Sequence, residues 1–313
     1  LKFKNMTAYF LPLIFLSVLA LLENSKKLTY ILNNKIFYSS IALFFVIYIG
    51  LRYEIGCDWE RYLQMFDKFS SISFLDLFKF NFVTGPHRSN STHTIQEFGH
   101  VIITILSRNI YILNTIYAFL FIVPLFIFSS KIKRVYLSLV VAYPYYIIVV
   151  GMGPIRQAAC ISLLMLSIIY IQNKKYVNHF ITTSFSLLIH QFSIIFNGLL
   201  LIPLLPKINN NIISKKNIFF FIILTLIIAY SLPSYLVKLY FYFTLPNEII
   251  PPAKGAFYVW FINFIPSFIF LSNIKKFNFQ DSLKKILIIF SLFEIFLLPL
   301  VFFKSVIAYR LIL

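Results

Sequence analysis

The sequence predicts an all-α, polytopic membrane protein of about 10–11 transmembrane helices, and three observations carry that expectation. Of 313 residues, 60% are hydrophobic and only 12% charged, where a soluble domain carries about a quarter. Apolar runs on the length scale of a membrane span recur from end to end. The charges between those runs are sorted: alternate gaps hold most of the lysine, and the others hold nearly all the arginine, acid and histidine.

In chain order the expected spans are 7–22, 36–51, 110–130, 135–150, 157–172, 176–190, 192–206, 217–232, 256–272 and 286–303. Five gaps (23–35, 131–134, 174–175, 207–216, 275–285) hold 15 of the 28 basic residues against only Glu23 and Asp281. The positive-inside rule puts these gaps in the cytoplasm and the N-terminus outside. Parity then decides two ambiguous stretches. Two crossings within 98–130 would move Lys131–Arg134 outside, so Glu97–Asn109 is expected as an interfacial or re-entrant helix on the outer side. One crossing over 176–206 would move Lys207–Lys216 outside, so two short segments with a turn near His190 are expected. The outer face then carries a large loop over 52–97, the turn Gly151–Gln157, the His190 turn and a proline-rich loop, Leu232–Gly255. One membrane-embedded domain accounts for residues 1–313.

The net charge of +18 is the lysine retained in cytoplasmic gaps, and no basic run or helix calls for nucleic acid. Cys57 and Cys160 define no disulfide framework or metal set; a bridge between them would need both outside. The first apolar run lacks a small-x-small cleavage site and is read as a span. The chain opens on Leu1 and stops nine residues after Lys304, so its last span is expected to be incomplete.

Five outer pieces could carry chemistry. In Leu51–Tyr62 (LRYEIGCDWERY), Arg52 meets the outer surface and Asp58 follows a glycine turn. Asp58 also suits an N-cap for a helix over Trp59–Phe69, and Arg52 a snorkelling helix end. Glu97 opens an apolar helix, comfortable at its N-terminus or serving as a base. In GMGPIRQ, Arg156 falls in the first turn of the next helix, where a cation opposes the dipole; with the helix N-terminus it forms an anion site. His190, in HQFS, is expected on the same face, as is Arg310 beyond the last span. Glu294 lies within a span and is expected to face the bundle interior or be protonated. The stretch Thr84–Glu97, with His87, Arg88 and His93, reads as a polar loop or a lid. No Walker loop, dinucleotide fingerprint, zinc motif or paired-cysteine site is present. A lipid diphosphate fits such a chain: it lies in the membrane, carries its own leaving group and is matched by arginine.

These blocks, in this order, resemble the EpsG-like family of Wzy-type polysaccharide polymerases, which includes O-antigen and capsule polymerases. Arg52, Tyr53, Gly56, Asp58 and Tyr62 resemble its R-Y-x-x-G-x-D-x-x-x-Y block. Glu97 and Gly99 resemble E-x-G, Arg156 and Gln157 the R-Q pair, His190 and Ser193 H-x-x-S, and Tyr309 and Arg310 the late Y-R. The Arg88–His93 loop has no counterpart. The resemblance implies a GT-C-like glycosyltransferase of the bacterial inner membrane, without metal or cofactor. It would move a growing glycan from undecaprenyl diphosphate onto a lipid-linked repeat unit at the periplasmic or outer face. Membrane lipid, a chain-length regulator, a flippase and a ligase are the implied partners. On that reading Glu97, then Asp58, then His190 are candidate bases. Arg156, with Arg52 or Arg310, answers the leaving group, and Tyr53, Tyr62 and Gln157 bind substrate. A flippase for the lipid-linked unit and a membrane O-acyltransferase are the competing readings.

Overall fold

A computed structural model describes residues 7–23, 25, 29–32, 34–70, 97–191, 193–201, 215–244, 252–253 and 255–312. Among them every regular element is helical. The loop expected over 84–97 lies outside the described residues except for Glu97, and so does the segment after 201 where the seventh span was expected to end.

The first compact unit comprises described residues of Leu1–Phe78 and Gly99–Leu166. Its helices are α1 (Thr7–Leu22), α2 (Thr29–Leu32), α3 (Lys35–Gly50), α4 (Trp59–Ser70), α5 (Phe98–Leu106), α6 (Ile110–Ser129), α7 (Val135–Ala142) and the start of α8 (Ile155–Gln172). Local chemistry starts these helices where side chains can meet orphan amides. Asn34 Oδ1 accepts the Ile36 N–H at 2.8 Å, and Asn109 Oδ1 accepts that of Ile112 at 2.9 Å, as N-caps do. Glu23, one of two acids among the lysine-rich gaps, accepts the Val135 and Tyr136 N–H groups at the start of α7, where negative charge suits the dipole. Between α7 and α8 the chain runs as a π-helix, Tyr143–Val150. Pro144 lies in its first turn, removing one backbone donor from the ladder, and such a loss is a recognised origin of irregular helix.

Packing in this unit pairs α3 with α6 and α1 with α7. A Cβ on Gly50 would lie 2.6 Å from Thr115 Oγ1, so the bare glycine is what lets α3 and α6 approach there. Tyrosine hydroxyls tie helices together at backbone carbonyls: Tyr38 to Phe126 at 2.7 Å, Tyr136 to Leu32 at 2.8 Å and Tyr143 to Tyr9 at 2.6 Å. In a setting with little water these donors need a partner, and carbonyls supply it.

The second unit comprises described residues of Lys79–Phe98 and Ser167–Leu313. It holds the end of α8, α9 (Tyr176–Ile189), α10 (Ser193–Leu201), α11 (Lys215–Thr244), α12 (Ala256–Ser272), α13 (Asp281–Phe296), α14 (Leu298–Phe303) and α15 (Ser305–Ile312). Here α9 packs on α11 and α10, and α12 on α13 and α15. The expected proline-rich loop starting at Leu232 is corrected: α11 continues through Pro233 to Thr244. Apolar surroundings explain this, because backbone groups released by breaking the helix would find no water. Tyr235 is buried inside the continued segment.

Among the described residues, three helical stretches are long and apolar enough to cross a membrane: Ile110–Ser129, Ile155–Gln172 and Asp281–Phe303, with shorter apolar helices at Thr7–Leu22, Lys35–Gly50, Val135–Val150 and Ala256–Ser272. Their outer surfaces are greasy. On α12 alone Phe257, Tyr258, Phe261, Ile262, Phe268 and Ile269 are all exposed. A belt of that kind is untenable in water and natural in lipid, and the chain is a membrane protein.

Candidate functional site

In the first unit, the loop after α3 carries Arg52 and is seated on the turn before α8. Gly56 makes the seat. Its φ is +103°, and a Cβ there would fall 1.9 Å from the Met152 carbonyl oxygen, so only glycine fits in conformation and in space. Arg52 is turned inward and buried. Its Nη1 donates to the Ile49 carbonyl and its Nη2 to Asn114 Oδ1, each at 3.3 Å. Burial pulls the guanidinium down to about 10, with Tyr62 and Asp58 opposing the shift, so it remains a cation at neutral pH. Asp58 is half-buried just ahead of α4, and its carbonyl accepts the Tyr62 N–H at 2.9 Å.

Arg156 occupies the first turn of α8, one residue after the helix begins at Ile155. Pro154 stands just outside the helix rather than in its first turn. The guanidinium lies 5.3 Å from the Tyr62 ring centroid, and Nη2 approaches Met65 Sδ at 4.0 Å. A cation over an aromatic face gains about 0.5–2 kcal/mol, which fixes Arg156 against α4. Gln157 beside it is buried. Tyr62 in turn meets the His100 ring at 6.4 Å, and His100 Nδ1 shares a hydrogen with the Tyr117 hydroxyl at 2.8 Å. Tyr53 is exposed and meets Trp59 at 6.0 Å. No disulfide joins Cys57, which is exposed, to Cys160, which is buried.

In the second unit, Glu97 and His190 form a pair. Nδ1 of His190 and Oε1 of Glu97 are 2.8 Å apart, and the Gln191 N–H donates to the same oxygen at 3.4 Å. Both side chains are buried. The sequence puts His190 there by breaking the helix. His190 caps α9 with extended backbone, its N–H donating to the Ser186 carbonyl, and α10 restarts at Ser193, whose hydroxyl donates to the His190 carbonyl at 2.7 Å. The expected turn at His190 is present. Glu97 directly precedes α5, which at nine residues is about 14 Å long, too short to cross. Arg310 lies in α15, and its side chain is outside those described.

Within one unit the structure therefore gathers Arg52, Asp58, Tyr62, Arg156 and Gln157, and within the other Glu97, His190 and Gln191. Sequence reasoning did not single out Asn114, His100 or Tyr117. Asn114 carried a signal, a lone amide in an apolar span, and so did His179, Thr183 and Ser186, which share the α9 face that ends at His190 and are all fully buried. Glu294 is buried on α13, and the Trp260 indole donates to its carbonyl at 2.9 Å. Among the described residues no three His, Cys, Asp or Glu side chains converge as a metal site would require.

No curated protein matches the chain, and no solved structure does. The family comparison is positive: the EpsG family model matches residues 35–313, a stretch that contains every block on which the sequence resemblance rests. The chain belongs to the EpsG family.

Proposed function

We propose that the chain is a membrane glycosyltransferase that polymerises polysaccharide repeat units, acting as a multi-pass protein on the outer face of the bacterial inner membrane. The donor is a growing glycan on undecaprenyl diphosphate, and the acceptor is a hydroxyl of a lipid-linked repeat unit. The bond from the anomeric carbon to the diphosphate oxygen breaks, a glycosidic bond forms, the hydroxyl proton passes to a base and undecaprenyl diphosphate leaves. No metal is invoked. Family membership supports the reaction class.

The observation that carries the chemistry is the Glu97–His190 pair. An imidazole that gives its Nδ1–H to a carboxylate holds its basic lone pair on Nε2, and the carboxylate stabilises the imidazolium that forms on proton uptake. His190 is the base in this reading, and Glu97 orients it. Arg156, fixed on Tyr62 at a helix N-terminus, meets the charge that develops on the leaving diphosphate. Arg52 is spent on Asn114 and Ile49, so its part is to hold the loop and add positive potential. Asp58, Tyr53, Tyr62, Gln157 and Arg310 remain the candidates for binding sugar or phosphate.

The experiment is complementation of a polymerase-deleted strain in the native gene cluster. Wild-type protein should restore a ladder of polymer lengths, while E97Q and H190A give one repeat unit per anchor at normal protein levels. The buried polar face of α9 and Glu294 favour transport as the second reading. Repeat units trapped on the cytoplasmic side of the deletion strain would decide for it.

A further inference from the structure

The outer end of the first unit joins two surfaces of opposite chemistry. Between α3 and α6 runs a groove of about 550 Å³, open to the surface and lined almost wholly by apolar atoms, with Leu43, Val46 and Leu51 on one side and Tyr111, Ile116 and Phe119 on the other. Leu43 and Leu51 are eight residues apart, so the groove follows α3 for about 12 Å. Its α3 wall ends at Leu51, two residues before Tyr53, and Tyr111 in its opposite wall belongs to a second feature.

That feature is an aromatic shelf. Trp59 is nearly buried and contacts both Tyr53, at 6.0 Å, and Tyr111, at 6.5 Å. Tyr53 is 62% exposed and Tyr111 37%. The neighbouring Glu54 carboxylate holds the Tyr53 phenol above its ordinary value. Glu54 has a φ of +51°, a left-handed conformation that a non-glycine residue keeps only where its surroundings impose it. Rings for the C–H faces of a pyranose and a carboxylate for its hydroxyls make a sugar site. An anionic phospholipid headgroup suits it poorly, because Glu54 and Glu60, which directly follow Tyr53 and Trp59 in the chain, are exposed carboxylates and would repel a phosphate. The cation for an anionic linker is at the groove instead: Arg108 is exposed and directly precedes the groove residue Asn109.

We infer that the α3–α6 groove and the Tyr53–Glu54–Trp59–Tyr111 shelf are one binding site for a polyprenyl-linked glycan, with the head-proximal chain in the groove and the first sugar on the shelf. The identity of the ligand rests on the glycosyltransferase reading above; the joined surfaces do not.

The chain has two tryptophans, and W260F leaves Trp59 as the only one, a fluorophore inside the shelf. The purified full chain in detergent, carrying W260F, is titrated with the lipid-linked repeat unit extracted from the polymerase-deleted strain. Undecaprenyl phosphate and the free oligosaccharide serve as separate ligands. The site requires a saturable change in Trp59 emission with the glycolipid, weaker binding of undecaprenyl phosphate, competition by the free oligosaccharide, and an affinity loss of about tenfold in both Y53A and Y111A. Y53F keeps the ring, removes the hydroxyl that neighbours Glu54 and serves if an alanine variant fails to fold; its loss should be smaller but measurable. If undecaprenyl phosphate binds as tightly as the glycolipid and Y53A and Y53F change nothing, the rings are an interfacial belt and the site is overturned. Retention of radiolabelled glycolipid with unchanged Trp59 emission overturns it as well. Trp59-reported binding by a wild-type chain that restores no polymer ladder would instead remove the polymerase reading and leave the site standing.

Discussion

His190 shares a hydrogen with Glu97 across 93 residues of chain, at 2.8 Å. The pair exists because α9 stops at His190 and because Glu97 ends the stretch before α5, so each residue stands at a helix boundary where its side chain is not committed to a helical face. Replacing Glu97 by Gln keeps the shape and removes the negative charge that stabilises an imidazolium. Turnover should fall by at least about 10² in E97Q and further in H190A, measured as polymer formed per unit of membrane-inserted protein, with thermal stability little changed in E97Q.

Arg156 is held by the Tyr62 ring as well as by its charge. In R156K the charge is kept and the planar stack is lost, so transfer should persist at about 3% to about 40% of wild type, a range set by the 0.5–2 kcal/mol of a cation–π contact. R156A should abolish long polymer. Y62L should resemble R156K rather than R156A, and a KM that rises more than kcat falls would show that the ring positions the guanidinium.

Arg52 and Asn114 are buried together. N114L strands a buried guanidinium and should cost about 1–3 kcal/mol, read as a fall in the melting temperature of the purified protein. R52M strands the amide with a similar direction. The double variant removes both groups and should be less destabilised than the sum of the singles by about 1 kcal/mol or more. Because the folded-state value of Arg52 is lowered to about 10, its charged form is the disfavoured one in the fold. That penalty is constant below pH 10 and is relieved only as pH rises from there towards the ordinary guanidinium value of the unfolded chain. The activity profile of the wild type near neutrality should therefore carry no inflection from Arg52.

Gly56 tests the seat of the 52–58 loop. An alanine there meets the Met152 carbonyl and an unfavourable φ together, so G56A should cost at least about 2 kcal/mol. Limited proteolysis should show cleavage between α3 and α4 that wild type resists.

Much of the fold was legible in the sequence, and the reason is periodic greasiness cut by polar gaps. The run 7–22 is α1 to the residue, and the parity of the lysines required the break at His190 that separates α9 from α10. Local pattern failed where a breaker is overruled: Pro233 reads as a helix stop, yet α11 runs past it, and Pro144 turns part of one expected span into π-helix. Of the candidate site, the residue types at helix ends were legible: Arg156, Glu97 and His190. Their partners were not. The Arg52–Asn114 contact joins positions 62 apart, and the His100–Tyr117 pair depends on how α5 meets α6. Neither has a spacing that betrays it, since tertiary packing alone brings them together.

The loop seated by Gly56 has a further consequence. Its underside is fixed against Met152, in the turn that presents Arg156 four residues later, while its upper side offers Tyr53 and Glu54 to the surroundings. On the proposed reading, recognition and charge handling would be two faces of this one loop. Substitutions on the exposed face can retune which sugar is accepted without disturbing the arginine below. Drift in glycan preference among relatives, where it occurs, should accumulate at the positions of Tyr53, Glu54 and Tyr111 and spare that of Gly56.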